Sequence, residues 1–435
     1  MIKAIIHARI YDFESYIEQG FVIFDEKIIE IGPMKQFKDQ GYEIIDGANH
    51  LVLPGLITGH THIYSTFARG MSVPFHPENF QDILDQLWWK LDRNINLETT
   101  YYSGLVSAVD HVKNGVTTMI DHHASGIDIT GTLEALKKAV CDDVHLRGIF
   151  AFETSDRFDV EKAIEENVAF HKDYRSPFTA GLFGLHASMS LSEQTLKKVK
   201  NSLGDMPIHI HVAESVMDEK DSQEKYKERI LNRLNRHGLL NKHSIIAHAI
   251  YVDDDELKII KDKDCVIAVN FSSNMNNSVG VPPLKRFREH GIPVIVGNDG
   301  ISSAITTEYL SLYYATHLLD QTPNLFGLGE LKKMIEDTYL YTNQILGTHL
   351  GKIQKGYEAD LLMVPYIPPT PINQDNALGH LFFGLFHSFK PKHVYIAGKQ
   401  IVTNYEVSDP LISKYQEASQ YAQKLWERIN NEVKS

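Results

Sequence analysis

Cysteine is scarce in this chain of 435 residues, which contains only Cys141 and Cys265. Two cysteines are too few for a disulfide framework, so both are predicted to be buried free thiols in a reducing compartment. Long apolar runs are also missing, because no stretch of about 18 uncharged apolar residues occurs and charged residues begin at Lys3. We therefore expect a cytoplasmic protein with neither a secretion signal nor a membrane span.

Positive charge is in short supply as well. The sequence has 43 Lys and Arg against 56 Asp and Glu, which gives a formal net charge of -13. Nucleic acids and anionic membranes bind concentrated basic surfaces, so this balance argues against both partners and favours a small-molecule substrate. The hydrophobic content of 43% and the charged content of 23% are those of an ordinary globular protein.

The two ends of the chain share one pattern. The segments AIIHARIYD, FVIFDEKIIEIG and YEIIDGANHLVL alternate like half-buried strands before the Pro54-Gly55 turn, and KGYEADLLMVPY and HVYIAGKQIVTN do so after residue 350. We predict that residues 1–52 and 353–435 form one small β-sandwich domain, with a C-terminal helix over 411–433.

The segment between these ends contains eight short apolar runs separated by amphipathic helical segments, one of which spans 97–113 and stops before Gly115. The runs are LPGLITGH (53–60), VTTMIDHH (116–123), LRGIFAFE (146–153), TAGLFGLH (179–186), PIHIHVAE (207–214), SIIAHAI (244–250), CVIAVN (265–270) and IPVIVGND (292–299). Alternating strands and helices indicate an α/β fold with a parallel sheet, and eight strands predict a (β/α)8 TIM-like barrel over residues 53–352.

Nearly every run ends in histidine or a carboxylate. The closing residues are His60, Asp121, Glu153, His186, Glu214, His248, Asn270 and Asp299, with His62, His122 and His123 beside the first two ends and His211 within the fifth run. One His-x-His pair is expected by chance in a chain with 22 histidines, so His60-Thr61-His62 alone indicates little. However, the carboxyl ends of barrel strands meet at one face, where these side chains would lie together.

Strand geometry favours a metal site at that face. His60 and His62 lie two residues apart on a predicted strand, so both side chains leave the same side. Imidazole nitrogens and a carboxylate suit Zn²⁺ or Fe²⁺ better than Mg²⁺ or Ca²⁺. His211, His248 and Asp299 are the candidates to complete the coordination.

The combined motifs resemble a known superfamily. HTH after Pro-Gly, HVAE in the fifth run, AH in the sixth and GNDG in the eighth are similar to the amidohydrolase superfamily, in its cytosine deaminase, chlorohydrolase and guanine deaminase branch. DHHAS (121–125), FETSDR (152–157), LWWKLDR (87–93) and SNMNNSVG (273–280) resemble the SsnA-type aminohydrolases, which are associated with purine catabolism.

This resemblance implies one divalent metal ion per chain, Zn or Fe. His60, His62, His211 and Asp299 would be its ligands, and His248 would be either a further ligand or a hydrogen-bonding partner of the bound water. Asp299 would take the proton of that water, and Glu214 would protonate the substrate nitrogen, so the expected catalytic residues are Glu214, Asp299 and His248. No lysine closes the fourth run, which favours a mononuclear site. A homodimer is the family expectation.

Other side chains are candidates for substrate binding. By resemblance His186 contacts substrate, and the further candidates are Gln86, Asp121, His122, His123, Asp156, Arg157, Asn274 and Ser303. Asp156 and Arg157 could clamp a polar heterocycle or pair with each other on the surface. His209 is expected near the metal without binding it, or as a satisfied buried histidine.

The predicted function is that of a hydrolase of carbon–nitrogen bonds other than peptide bonds: an aminohydrolase that attacks a purine-like N-heterocycle with metal-bound hydroxide. The first alternative is a cyclic amidohydrolase that opens a xanthine-like ring, and the second is a non-catalytic, amidohydrolase-like binding protein. The second is disfavoured because every expected ligand type is present. The sequence differs from the pattern of this branch at two places that bear on the substrate. Gln86 and Asp85 stand where many of its deaminases have a glutamate that grips the substrate, and Val269-Asn270-Phe271 stands where His-Asn-Pro is frequent.

Overall fold

The computed structural model describes the backbone of residues 2–434 and the side chains of residues 2–432. Its strands are β1 (Lys3–Tyr11), β2 (Tyr16–Phe24), β3 (Ile28–Pro33), β4 (Glu43–Asp46), β5 (His50–Pro54), β6 (Leu56–Thr61), β7 (Val116–His123), β8 (Arg147–Phe152), β9 (Thr179–Gly181), β10 (Phe183–Ala187), β11 (Ile208–Val212), β12 (Ile245–His248), β13 (Val266–Val269), β14 (Val294–Val296), β15 (Leu361–Pro365), β16 (His393–Ile396) and β17 (Lys399–Thr403). Each predicted apolar run of the central segment contains one of these strands, or two in the case of 179–186.

The helices are α1 (Phe80–Ile83), α2 (Trp89–Asp92), α3 (Leu97–Lys113), α4 (Thr132–Lys137), α5 (Val160–Asp173), α6 (Glu193–Leu203), α7 (Val216–Tyr226), α8 (Ile230–Arg236), α9 (Asp254–Asp262), α10 (Phe271–Asn276), α11 (Leu284–Glu289), α12 (Ile305–Asp320), α13 (Leu328–Leu346), α14 (Ala377–Gly384) and α15 (Asp409–Lys434). The predicted helix 97–113 is confirmed. Asn96 caps its first turn by accepting a hydrogen bond from Thr99 N, and Gly115, with φ of 81°, follows its end. Along residues 2–434, no helix combines the length and the apolar character needed to cross a bilayer.

The central strands form two parallel sheets, with orders β6-β7-β8-β9 and β10-β11-β12-β13-β14. The sheets meet at both edges. Thr61 at the end of β6 bridges Asp299 after β14, and Thr154 after β8 bridges Leu185 of β10. The strands therefore follow one another around a closed ring with helices outside it, in agreement with the predicted (β/α)8 barrel.

Strands from both ends of the chain form a further sheet of eight strands, in the order β17-β16-β15-β5-β1-β2-β3, with β4 pairing beside β5 on β1. The ring of Phe24 on β2 lies 5.4 Å from the ring of Tyr395 on β16, although three strands separate β2 from β16 in this order. The sheet therefore folds over onto its own inner face, as expected of a β-sandwich. The domain boundaries at residues 53 and 352 stay predictions.

A buried arginine joins this sheet to the barrel. Arg147 at the start of β8 is fully buried, and its Nε and NH2 lie 3.1 and 3.0 Å from the two carboxylate oxygens of Asp360, just before β15. The contact is at the amino end of the barrel strands, which leaves their carboxyl ends free for the site. Cys141 and Cys265 are buried free thiols, as predicted.

Candidate metal centre

Three histidines and one aspartate converge at the carboxyl ends of the barrel strands. His60 lies on β6 with His62 just beyond it, His211 lies on β11, and Asp299 follows β14. Alternation along β11 turns Ile208, Ile210 and Val212 toward the outer apolar core, so the side chain of His211 points into the barrel. The same period of two places His60 and His62 on one side of β6.

The distances between these groups are those of a preformed site. His62 Nε2 lies 3.0 Å from both His211 Nε2 and Asp299 Oδ1, and His60 Nε2 lies 3.3 Å from Asp299 Oδ1. One atom from each of the four side chains lies within 4.8 Å of all the others. A single cation at their centre would be in reach of three imidazole nitrogens and one carboxylate oxygen.

Backbone carbonyls set the orientation of two imidazoles. His62 Nδ1 donates to His122 O at 2.7 Å, and His211 Nδ1 donates to His186 O at 2.9 Å. When each ring is neutral, these bonds hold its single proton on Nδ1 and leave a lone pair on Nε2, the atom that faces the centre. Burial lowers the pKa of His62, but the hydrogen bond and the charge of Asp299 raise it to about 9, so this ring loses a proton when its Nε2 binds a cation. Both rings are thus prepared to bind a metal.

His209 orients the third imidazole. Its Nε2 lies 2.8 Å from His60 Nδ1, and both side chains are completely buried. Burial lowers the pKa of His60 to about 3 and that of His209 well below its usual value, so both rings are neutral. His209 therefore accepts the Nδ1 proton of His60 and leaves His60 Nε2 free for the cation.

His248 has a different arrangement. The amide nitrogen of Asn274 lies 2.8 Å from His248 Nδ1 and donates to it, which places the proton of the neutral ring on Nε2. That atom is buried without a hydrogen-bond partner and lies 3.6 Å from Glu214 Oε2. His248 thus presents a donor, rather than a lone pair, toward the space between Glu214 and Asp299.

The two carboxylates at the centre differ in their protonation. Burial opposes ionisation of Asp299, but its contacts with the imidazoles of His60 and His62 hold its pKa well below the usual value. Burial and the charge of Asp299 raise the pKa of Glu214 well above its usual value. These opposite shifts favour the ionised form of Asp299 and the protonated form of Glu214.

The donor set fits a divalent transition metal. Three imidazole nitrogens with one carboxylate oxygen match the ligands that Zn²⁺ and Fe²⁺ take in proteins, whereas Mg²⁺ and Ca²⁺ prefer sites made of oxygen atoms. The hydrogen bonds behind the three rings supply the outer support that such ligands usually have.

The backbone is strained where it carries these groups. Ala213, His248 and Asp299 have φ values of 50°, 70° and 60°, in the left-handed region that residues with a side chain seldom adopt. Such positions cost about 1–3 kcal/mol each and persist where the surrounding structure enforces them. At Gly297, an added Cβ would lie 2.6 Å from His60 O, so the absence of a side chain lets the Asp299 turn approach β6.

A cleft opens above the centre and is flanked by aromatic side chains. Its walls include Tyr64, Phe80, Trp88 and Trp89, and its floor includes His62, His211, Glu214 and Asp299. Flat apolar walls suit a planar ring, because aromatic groups stack on such ligands. His186 also lines this cleft, and its ring centre lies 6.3 Å from that of Trp89.

A buried ionic network supports one wall of the cleft. Arg157 NH2 lies 2.8 Å from Asp92 Oδ2 and 2.8 Å from Glu153 Oε1, and Glu153 Oε1 lies 3.7 Å from His186 Nε2. Asp92 and Glu153 line the cleft, whereas Arg157 lies behind them. The sequence pointed to Arg157 as a substrate-binding residue but assigned no such role to Asp92 or Glu153. Glu153 was identified only as the residue that closes the third apolar run.

The structure places several other predicted substrate-binding residues outside the cleft. Asp121 Oδ1 accepts from Ile63 N at 2.7 Å, His122 Nε2 donates to Leu185 O and His209 O, and His123 packs against Tyr64. Gln86 accepts from His76 N, Asp156 accepts from Ser192 N, and Ser303 accepts from the Asn114 amide in a neighbouring cavity. Asn274 bonds His248, so its contribution to the site is through that ring.

The amino-acid sequence is similar to a known protein family and to individual deaminases. The amidohydrolase family model matches residues 51–401. The chain is 28% identical over 384 residues to the 5'-deoxyadenosine deaminase of Methanocaldococcus jannaschii, and the match covers 85% of this chain and 88% of that protein. It is 27% identical over 383 residues to the 5-methylthioadenosine/S-adenosylhomocysteine deaminase of Pyrococcus furiosus, with the same two coverages.

A solved structure shows the same fold. The crystal structure of an adenosine deaminase from Xanthomonas campestris with bound zinc superposes with a TM-score of 0.82 at 18% sequence identity, over 97% of this chain and 98% of that one. This likeness confirms the predicted fold class.

Proposed function

The chain belongs to the amidohydrolase family, and we propose that it is a metal-dependent aminohydrolase that releases ammonia from a purine-like heterocycle. The observation that carries this proposal is the convergence of three imidazole nitrogens and a carboxylate beside the carboxyl group of Glu214, at the floor of an aromatic cleft. The two deaminases reported above support the reaction class, since their names describe release of ammonia from adenosine-like purines.

His60, His62, His211 and Asp299 would hold one divalent cation, zinc or iron. A cation bound there would lower the pKa of a water molecule toward neutrality and so supply a nucleophile at physiological pH. His248 Nε2 would donate a hydrogen bond to the oxygen of that water and orient it toward the substrate. Asp299, ionised at neutral pH, would accept the proton that the water loses.

Glu214 would transfer protons on the substrate side. Its raised pKa favours the protonated form, which can donate to the ring nitrogen next to the carbon under attack. The water oxygen forms a bond to the ring carbon that bears the amino group, and the carbon–nitrogen bond then breaks. The electron pair of that bond leaves with the nitrogen, which takes up the proton held by Asp299 and departs as ammonia. The hydroxyl left on the carbon gives its proton to Glu214 and becomes a carbonyl, so both carboxyl groups return to their starting states.

A substrate screen tests the proposal. Protein loaded with zinc or with ferrous iron would be incubated with adenine, guanine, their nucleosides and xanthine, while ammonia and the ultraviolet spectrum are followed separately. We expect ammonia to appear while the ring absorption is kept, and His60→Ala protein should give neither bound metal nor ammonia. Loss of the ring absorption without ammonia would favour ring opening, and no reaction with any compound would contradict the proposal.

A further inference from the structure

The cleft above the metal ligands is lined by acidic side chains. Asp92, Glu153, Glu214, Asp218 and Asp299 all contribute to its surface, and among the described residues that line it there is no lysine or arginine. The cleft therefore has a negative lining.

The nearest arginine is already neutralised. Arg157 lies behind the wall, and its NH2 is 2.8 Å from Asp92 and 2.8 Å from Glu153. Its guanidinium carbon lies 4.8 Å from the centre of the Trp89 ring, which separates it further from the cleft. A phosphate or carboxylate on a ligand could reach this charge only by breaking one of two buried ion pairs, which is costly.

Two carboxylate oxygens on the walls have unused hydrogen-bonding capacity. Asp92 and Asp218 are 2% and 4% exposed, and the Oδ1 atom of each makes no hydrogen bond of ordinary geometry. Their other oxygens are occupied: Asp92 Oδ2 accepts from Arg157, and Asp218 Oδ2 accepts from Ala213 N at 3.0 Å. A buried acceptor without a partner is unfavourable, so a ligand that supplies a donor there is stabilised.

We propose that this cleft selects uncharged purine bases and nucleosides, whose N–H, NH2 or O–H groups donate to Asp92 and Asp218, and that it excludes substrates bearing phosphate or carboxylate groups. The inference rests on the proposed function and narrows its substrate class. A divalent cation and Arg157 together carry three positive charges, fewer than the five carboxyl groups that line the cleft.

The test compares matched pairs of compounds on metal-loaded protein. Adenosine and adenosine 5'-phosphate, and guanosine and guanosine 5'-phosphate, differ only in the phosphate. Assays at pH 8 keep the walls ionised, because burial raises the pKa of Asp92 to about 6 and that of Asp218 to about 7. Since placing like charges together strongly weakens binding, we expect kcat/KM for the nucleoside to exceed that for the nucleotide by about 100-fold or more.

The outcomes separate this inference from the proposed function. Ammonia from nucleosides and nucleotides at similar kcat/KM would overturn the inference and leave the proposed function standing. If no compound is turned over, the proposed function fails, and calorimetry on the same metal-loaded protein still decides the selectivity. Binding of adenosine about 100-fold tighter than binding of adenosine 5'-phosphate would support the exclusion of phosphates. Equal binding of the two compounds, or no binding of either, would overturn it.

Two charge-neutralising variants locate the effect. Asp92→Asn and Asp218→Asn each remove one negative charge from the wall, so each should reduce the preference for nucleoside over nucleotide by about 10-fold. Asp143→Asn is the matched control, because Asp143 also pairs with a cation, Lys414 at 2.9 Å, but lies outside the cleft. The control should keep the wild-type ratio. If both wall variants keep the wild-type ratio of kcat/KM for nucleoside over nucleotide, Asp92 and Asp218 are not the residues that exclude the phosphate. If one variant fails to fold, the ratio measured on wild-type protein still tests whether the cleft excludes nucleotides.

Discussion

Among single residues, Glu214 is the one whose replacement separates chemistry from metal binding. Glu214→Gln keeps the shape of the side chain but removes the proton that it donates, so we expect kcat to fall by about 100-fold or more with unchanged metal content. Steady-state kinetics together with metal analysis would check this.

Glu219→Gln is the control for that experiment. Glu219 is buried in α7, and burial and the neighbouring Glu256 raise its pKa to about 8, so it already carries a proton at pH 7 and loses little by the change. A Glu214→Gln protein with kcat within about threefold of wild type would contradict the proton-transfer assignment.

His209 is predicted to act on the metal through His60. His209→Ala removes the acceptor that fixes His60 Nδ1, and the loss of such outer partners typically lowers metal affinity by about 10- to 100-fold. Competition with a chelator of known affinity would measure the change. The control is His171→Ala, since His171 lies on α5 and bonds to Gly181 O. This variant should keep the wild-type metal affinity. Equal affinities in wild type, His209→Ala and His171→Ala would refute the role of His209.

The sequence could indicate His60, His62, His211 and Asp299 as a group, because each lies at the carboxyl end of an apolar run. It could not reveal which atom each ring presents, since that depends on carbonyls and side chains supplied by other strands. The contact of Asp92 with Arg157 was equally out of reach, because it joins α2 to the loop after β8, 65 residues apart in sequence.

At the scale of elements, runs of apolar residues predicted the strands well, because buried parallel strands are apolar on both faces. The run 179–186 shows the limit of this signal. It is divided into β9 and β10 at Leu182, whose N–H donates to Phe150 O at 2.9 Å, and no residue in TAGLFGLH marks the interruption. Such a break depends on how neighbouring strands meet, which local pattern does not encode.

The packing of α6 against α8 should make stability depend on pH. Burial would raise the pKa of Glu193, but hydrogen bonds from Arg233, His237 and Arg236 lower it to about 2. This pKa is lower in the folded chain than the ordinary value of 4.5, so ionised Glu193 stabilises the fold. The stabilisation is complete above pH 4.5 and is lost as the pH falls toward 2. Urea unfolding at pH 7 and pH 3 would measure it.

The matched variant for that experiment is Glu193→Gln, which cannot ionise. It should be less stable than wild type at pH 7, and the difference between the two proteins should shrink at pH 3. A difference that is the same at both pH values would show that these ion pairs do not stabilise the folded chain.

At the scale of the whole molecule, the four proposed metal ligands come from both barrel sheets. His60 and His62 come from the sheet that begins with β6, whereas His211 and Asp299 come from the sheet that ends with β14. A cation that binds only the folded chain at 1,000 times its dissociation constant stabilises it by about 4 kcal/mol. Stripping the metal with a chelator should therefore lower the thermal midpoint by several degrees, and added zinc should restore it.

Calorimetry of stripped and reloaded protein would check this expectation. His60→Ala provides the control, because its midpoint should not respond to added zinc. Equal midpoints for stripped and loaded wild-type protein would contradict a metal site that spans the two sheets.

The sheet built from both ends of the chain has a consequence for synthesis. β5 pairs on one side with β1 and on the other with β15, so the strand that ends at Pro54 meets its second neighbour only when Leu361 has been made, about 300 residues later. At roughly 5–20 residues per second, that edge stays open on the ribosome for about 15–60 s. An unpaired strand edge can pair with other chains. The N-terminal strands of a nascent chain of this protein are therefore its most aggregation-prone part, and they remain so until β15 has been made.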